Sequence, residues 1–372
     1  KPIRDSELPE GVKVIPLMWA YAVKKHDENG LFRKFRSRIT LMGNHERNVL
    51  TKLEAYAPVH MAITARLLVA LHMGDPDVVF RKLDVQNAYI NEFMKRKVWC
   101  RCPPGYKLYV REDGIVDYEE LEPGETTAGT CVPLIKALYG GMECGRIFWE
   151  AFVQWHLADG FQLIHEDRCY LEKRDSLSGS WIKLCFHVDD NMIATKGEQF
   201  YADYLKRLTS KFDVAEAALT SHLGTNYHFS EDNTKVLIEQ TCQVEKMLKE
   251  FGFENCSTAN AETAVAAGAI QPNAADCEDT DVEPFDMESF VGHGTYLCMC
   301  TRPDISLPLK ILSRHTKKFG KRHVAWAKHL LRFLRGTKSQ GLTYRSGFPL
   351  YIQIFTDASQ SKTTSFFVQS GV

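Results

Sequence analysis

An apolar run, a polar stretch and a mixed basic run follow one another in "VIPLMWAYAVKKHDENGLFRKFRSRITLMG" (14–43). The pattern predicts two strands joined by a polar turn at Asp27–Gly30, with a basic return strand. In "HMAITARLLVALHMG" (60–74) the residues Ile63, Leu67, Ala70 and Leu71 recur instead at helical spacing, and Gly74 can end the helix. "DVVFRKLDVQNAYI" (77–90) starts as a strand and turns sharply near Asp84–Asn87. Residues 103–129 are Pro/Gly-rich and polar, which predicts a loop insert. Helical patterns cover 146–159, 198–212 and 243–253, and "RCYLEKR" reads as a strand. "SWIKLCFHVDDNMIAT" reads as a strand folded back on itself, with Asp189 and Asp190 at the hairpin tip. Residues 256–284 have few apolar anchors and read as a linker. "ESFVGHGTYLCMC" and 323–336 then read as helices, and "LYIQIFTDAS" as a last strand. No internal repeat is visible.

Charge refines this picture locally. The 46 Lys and Arg and 47 Asp and Glu nearly cancel. Yet Phe251 to Thr301 holds no Lys or Arg, and its acids cluster in "DCEDTDVEPFDME" (276–288). Ile305 to Thr356 holds no Asp or Glu but 11 Lys and Arg, and segment 24–38 is basic too. Such separation suits basic surfaces facing a polyanion, and equally suits solvated helix faces. Lys328, Arg332 and Arg335 form one basic stripe opposite Ala327, Leu331 and Leu334. No apolar run approaches the ~18–20 residues of a membrane helix. The polar start "KPIRDSELPEG" lacks the apolar core of a signal peptide and lacks Met, so a fragment of a longer chain is expected. The 11 cysteines are odd in number, and Cys100/Cys102 and Cys298/Cys300 have the wrong spacing for a zinc ribbon. Reduced, intracellular thiols are expected, many of them in the core.

Adjacent aspartates repel, so Asp189 and Asp190 stabilise nothing unless a cation sits between them. Hard divalent cations take oxygen ligands, and Mg²⁺ combines one or two carboxylates with phosphate oxygens. Asp84 ends another apolar strand, and three carboxylates from two strands can hold two metals for nucleotidyl transfer. Pattern alone does not bring Asp84 and Asp189 together.

A family resemblance, carried by ordered blocks, implies that they meet. "KLDVQNAYI", "RCPPGY", "LIKALYGGMECGR", "EDRCYLEK", "FHVDDNMIA", "TRPDISLPLKILSR", "HVAWAKHLLRFLRGT" and "GLTYR" resemble, in order, blocks of the reverse transcriptases of Ty1/copia-type retrotransposons. The resemblance covers nearly the whole chain. It implies an α+β fold, a right-hand polymerase of fingers, palm and thumb with an antiparallel palm sheet, then a connection region and a truncated ribonuclease H-like strand. The implied segments are 1–215 (fingers and palm), 216–255 (primer grip and thumb), 256–285 (acidic linker), 286–346 (connection) and 347–372 (partial ribonuclease H-like domain).

The resemblance also implies an RNA-directed DNA polymerase. Asp84, Asp189 and Asp190 would be catalytic and, with Val85, would hold two Mg²⁺ ions, Mn²⁺ being a substitute. Arg36, Arg38, Val85, Tyr89 and Glu143 would line the dNTP site, with Tyr89 as the steric gate against a 2′-OH. Tyr89 as plain core, and Arg36 and Arg38 as template contacts or a solvated face, remain alternatives. His222, Leu223 and Gly224 would form the primer grip, and Lys328, Arg332 and Arg335 would meet nucleic-acid backbone. Asp357 would be the first carboxylate of a vestigial ribonuclease H site whose activity is not expected here. Implied partners are an RNA template, a DNA or tRNA primer, an RNA–DNA hybrid and dNTPs, with no membrane, and flanking protease and integrase segments in a polyprotein. The implied location is cytoplasmic, in a virus-like particle, with a nuclear phase.

Some positions depart from the family blocks. Glu143 stands where the family has Gln, Met142 for Lys, Gly145 for Pro, His187 for Tyr and Met42 for Lys. A like-charge pair at ~6 Å and an effective dielectric of ~20 costs about 3 kcal/mol before screening, so Glu143 needs a cation such as Arg146 or weakens the nucleotide site. The alternative to an active enzyme is a decayed copy that only binds nucleic acid or serves as a structural protein. A DNA-templated or terminal-transferase polymerase would share the chemistry.

Overall fold

The computed structural model describes residues 3–24, 34–46, 50–51, 55–101, 105–110, 116–120, 122–123, 130–258, 272–279, 281–348, 357–360 and 368–371. The expected turn at Asp27–Gly30, part of the expected linker and most of "LYIQIFTDAS" lie outside them. In chain order the first part comprises β1 (Ile3–Arg4), β2 (Val14–Lys24), β3 (Lys34–Leu41), α1 (Ala62–His72), β4 (Val78–Val85), β5 (Phe93–Arg101), β6 (Tyr106–Val110), β7 (Val116–Glu120) and β8 (Thr130–Lys136). The expected hairpin is present, β2 pairing antiparallel with β3. It sits at the edge of a sheet ordered β1-β8-β5-β2-β3, around Ile15, Leu17, Leu41, Val98 and Cys100. The stretch expected to be a loop insert contains the antiparallel ribbon of β6 and β7.

There follow α2 (Cys144–Ala158), β9 (Gln162–Leu163), β10 (Tyr170–Arg174), β11 (Trp181–His187), β12 (Asp190–Lys196), α3 (Glu198–Thr209) and β13 (Val214–Ala218). The central sheet is ordered β13-β4-β12-β11-β10-β9. Side chains alternate between its faces. Leu83, Leu184, Phe186 and Ile193 meet Phe148 and Phe152 of α2 and Tyr201 and Tyr204 of α3. Cys185, Met192 and Ala194 point the other way, to Ala65, Leu68 and Val69 of α1. Both faces are covered, which is why these strands read as continuous apolar runs. Helix α1 is apolar on more than one side, and the face it buries is not the periodic set expected. Ile63, Leu67 and Leu71 are exposed. Its N-terminus is capped from a distance: Asp167 accepts from Met61 N at 2.9 Å and from the Thr64 hydroxyl.

The last part comprises β14 (Ser221–His222), β15 (Thr225–Phe229), β16 (Lys235–Glu239), α4 (Thr241–Glu250), α5 (Met287–Cys300), α6 (Ser306–Ser313), α7 (Lys321–Gly336), β17 (Gly341–Arg345), β18 (Asp357–Gln360) and β19 (Val368–Gly371). Strand β17 returns to pair with β16, and the sheet runs β14-β15-β16-β17. Helices α4 to α7 share one core of Val244, Met247, Phe290, Leu297, Leu309, Leu330 and Leu331. The composition break near residue 256 therefore separates two stretches of one packed body. Part of the expected linker is itself ordered, since Ala274–Glu278 forms a short capped 3₁₀ helix with Cys277 buried. The buried Arg302 clamps this body: it pairs with Asp304 at 2.7 Å and donates to Thr337 O at 3.0 Å, tying "TRPDI" to "RGT".

Leu330→Ala removes a fully buried side chain where α7 meets α4 to α6. It is expected to cost about 2–5 kcal/mol in urea unfolding. A loss under about 0.5 kcal/mol would show that these helices do not share one core.

Candidate active site

The site begins with strand register. Asp84, next to last in β4, lies directly opposite Asp190, the first residue of β12. Asp189 sits in the two-residue turn between His187 and Asp190, and its carbonyl accepts from Val85 N at 2.9 Å. Val188 takes φ +57, a sign that β-branched residues rarely adopt. The buried Asn191 holds this strained turn, donating to Leu83 O at 3.1 Å and to Asp189 O at 2.8 Å. The three expected carboxylates thus come together at one end of the central sheet, with Val85 buried beneath them.

The three are held differently. Gln86 donates to Asp84. Asp190 receives Lys82 Nζ at 3.1 Å and faces His222 Nδ1 at 3.2 Å. Burial alone would raise Asp190, but His222 and Lys82 outweigh it and hold the carboxyl below its ordinary range. Asp189 moves the other way. Burial, then the charges of Asp84 and Asp190, push it up, only partly offset by Arg38. Behind Asp190, His222 Nε2 lies 2.8 Å from His60 Nε2, and His60 Nδ1 lies 3.0 Å from Met61 O. The carbonyl can only accept, so His60 donates there and accepts from His222. Burial lowers His60 to about 4. His187, also lowered by burial, stands edge-on to His60 at 6.4 Å.

Tyr89 follows in a 3₁₀ turn (Ala88–Asn91) that begins after Asn87 at φ +52. Its ring packs against Tyr139 at 4.7 Å and Phe148 at 6.4 Å. Burial and the nearby Asp189 push its hydroxyl up to about 12. Arg38 stacks over the Tyr139 ring at 4.6 Å. Arg36, two residues along β3, is exposed. The turn beside Tyr139 requires glycine: Gly140 has φ +88, and a Cβ there would lie 2.1 Å from Leu41 O.

The other expected site residues have partners of their own. Glu143 is buried and pairs with Arg96 Nε at 2.7 Å. The same guanidinium pairs with buried Glu46, whose other oxygen accepts from Met142 N at 2.9 Å. The expected cation, Arg146, pairs with Glu150 instead. His222 is the residue of its block turned inward. Leu223 (φ +47) and Gly224 (φ +70) form the β14–β15 turn, and Tyr296 of α5 donates to Leu223 O. The basic stripe of α7 is covered by the chain itself: Lys328 pairs with Glu283 at 2.6 Å, Arg335 donates to Glu254 O at 2.8 Å, and Arg332 lies over Phe253. Asp357 opens β18, which pairs with β19 outside the central sheet. Lys82, His60, Asn191, Arg96 and Glu46 were missed. Among them only Lys82 carries a signal, two residues before Asp84 and so on the same face of its strand.

A family model described as reverse transcriptase (RNA-dependent DNA polymerase) matches residues 5–264. The chain belongs to the reverse transcriptase family. It is 24% identical over 358 residues to the retrovirus-related Pol polyprotein from transposon TNT 1-94 of Nicotiana tabacum, covering 95% of this chain and 26% of that protein. It is 24% identical over 352 residues to the Pol polyprotein from transposon RE1 of Arabidopsis thaliana, covering 94% of this chain and 22% of that protein. It is 25% identical over 281 residues to a putative transposon Ty5-1 protein of Saccharomyces cerevisiae, covering 74% of this chain and 83% of that protein. The chain spans about a quarter of the plant polyproteins it matches. These relatives support the resemblance to copia-type reverse transcriptases. The family generally uses divalent metal ions, and three convergent carboxylates, with Asp189 pushed up by burial and by the charges of Asp84 and Asp190, suit a hard cation that would offset their repulsion. No helix among the described residues is long and apolar enough to cross a membrane.

Two outcomes are expected. Arg96→Ala leaves Glu46 and Glu143 buried without their shared cation, so denaturant unfolding should show a loss of about 3–5 kcal/mol, partly restored by adding Glu143→Gln, which relieves the repulsion but not the burial of Glu46. A loss under about 1 kcal/mol would contradict this. Asp189→Asn should raise the melting temperature of the metal-free protein at neutral pH. A carboxyl raised by folding destabilises the fold once ionised, so the gain should vanish as pH falls below the ordinary carboxylate range. A variant less stable than wild type at pH 7 would reverse the assignment.

Proposed function

We propose that this chain is the polymerase segment of a copia-type Pol polyprotein and adds dNTPs to a primer 3′-OH on an RNA template. The observation that carries this reading is the convergence of Asp84, Asp189 and Asp190 in a chain of the reverse transcriptase family. In this reading the β1-β8-β5-β2-β3 sheet is fingers, the central sheet is palm, and the α4–α7 body with its sheet is thumb and connection. Asp84, Asp189, Asp190 and the Val85 carbonyl would hold two Mg²⁺. Bound there, divalent ions supply Lewis acidity to the 3′-hydroxyl and the leaving pyrophosphate.

The remaining steps belong to side chains. Lys82 and His222 keep Asp190 ionised and immobile, so one ligand is ready without reorganisation. Arg38, held on Tyr139, stands where a triphosphate would lie, and the exposed Arg36 extends that cationic edge. Tyr89, fixed by Tyr139 and Phe148, would occupy the space that a 2′-OH needs. The Leu223–Gly224 turn would meet the primer with backbone groups, since His222 faces inward. Glu143 has no part in this site, because Arg96 takes its charge. That pairing weakens the case for a decayed copy that only binds nucleic acid.

Primer extension on an RNA template with dNTPs and Mg²⁺ tests the proposal. Wild type should extend, and Asp84→Asn or Asp189→Asn should lose at least about 10²-fold in rate. No extension by wild type, or equal extension by Asp189→Asn, would overturn it. Tyr89→Val should raise rNTP incorporation about tenfold or more relative to dNTP, since it removes a steric exclusion. Unchanged discrimination would return Tyr89 to a packing role.

A further inference from the structure

Away from the carboxylates, three metal-ligating side chains converge from three elements. Cys277 comes from the Ala274–Glu278 turn, His315 from the loop after α6, and His323 from the first turn of α7. One ligand atom of each lies within 4.8 Å of the others. Cys277 Sγ is 3.4 Å from His315 Nδ1, and the two imidazole centroids are 4.4 Å apart. In a tetrahedral zinc site, neighbouring sulfur and nitrogen ligands sit about 3.3–3.8 Å apart, given Zn–S of ~2.3 Å and Zn–N of ~2.0 Å. Cys277 and His323 are buried, and His323 Nε2 has no hydrogen-bond partner. A buried ring nitrogen without a partner is costly unless something fills that role.

We propose that Cys277, His315 and His323 form a Zn²⁺ site that ties the 273–279 segment to α7. Thiolate and imidazole are the donors zinc prefers, and their softness excludes Mg²⁺. Two nearby carboxylates are already engaged, Asp276 with Arg322 at 2.9 Å and Asp279 with Lys321 N at 2.8 Å. The fourth position is therefore left to water. Loading releases the Cys277 thiol proton to solvent. It also releases one cap contact. His323 Nδ1 accepts from Gly320 N at 3.2 Å, and a metal on either ring nitrogen ends that contact, by taking the lone pair or by leaving the proton on Nδ1. The ligands lie 38 and 8 residues apart, and the first falls in a stretch that reads as a linker, so spacing gives no signal.

The test is titration of the purified, reduced chain with Zn²⁺ alone against a chromophoric chelator, and with Co²⁺ as a spectroscopic probe. Wild type should bind one Zn²⁺ that Cys277→Ser and His315→Ala each weaken at least tenfold. Its Co²⁺ form should show a thiolate-to-metal charge-transfer band absent from Cys277→Ser. The band separates this site from the carboxylates, which carry no sulfur. His315 is half-exposed, so His315→Ala should keep the far-UV spectrum and primer-extension activity of wild type while losing the zinc-induced rise in melting temperature. Zinc affinity equal in wild type and both variants, or a Co²⁺ form without the sulfur band, would overturn the proposal.

Discussion

The pairing of β4 with β12 is the constraint on which the rest depends. It places Asp84 against Asp190 and Asp189 at the adjoining turn, an arrangement that electrostatics opposes. A slip of one residue would turn every apolar side chain of β12 to the wrong face, so packing on both faces of the central sheet enforces the register. Repulsion is then managed locally. Lys82 and His222 stand against Asp190, Gln86 against Asp84, and Asn191 holds a turn that Val188 enters with an unfavourable φ. Asp189 is left as the least comfortable of the three.

Much of this was legible in the sequence. Apolar runs broken by polar turns located both hairpins, helical spacing located most helices, and apolar flanks marked Asp189 and Asp190. Asp84 was singled out by its own strand end, but its meeting with Asp189 was implied only by the resemblance, because local periodicity carries no information about contacts ~100 residues apart. The buried face of α1 was not legible, since a helix apolar on several sides does not specify which side its neighbours cover. His60 and Arg96 were invisible for a related reason. Each acts through a residue distant in sequence, and neither stands in a pattern of its own.

Part of the charge asymmetry is resolved within the chain. The acidic stretch folds onto the basic one: Asp276 pairs with Arg322, Glu278 with Lys318 and Glu283 with Lys328. Opposite blocks of charge in one chain are therefore a statement about self-recognition first. Glu143 repeats this at smaller scale. A carboxylate alarming beside a triphosphate becomes half of a buried pair once Arg96 is seen.

The Leu223–Gly224 turn is anchored on both sides. One residue before it, His222 bears on Asp190; at the turn itself, Leu223 O takes the Tyr296 hydroxyl from α5. Helix α5 is packed with α4, α6 and α7 into a single core. A force on the helical body would thus reach, by way of the Tyr296 hydroxyl, a turn whose neighbour His222 bears on Asp190. Such a turn works as a short crank between a heavy lever and a delicate balance of charge. Its two left-handed residues leave it little compliance with which to absorb the motion.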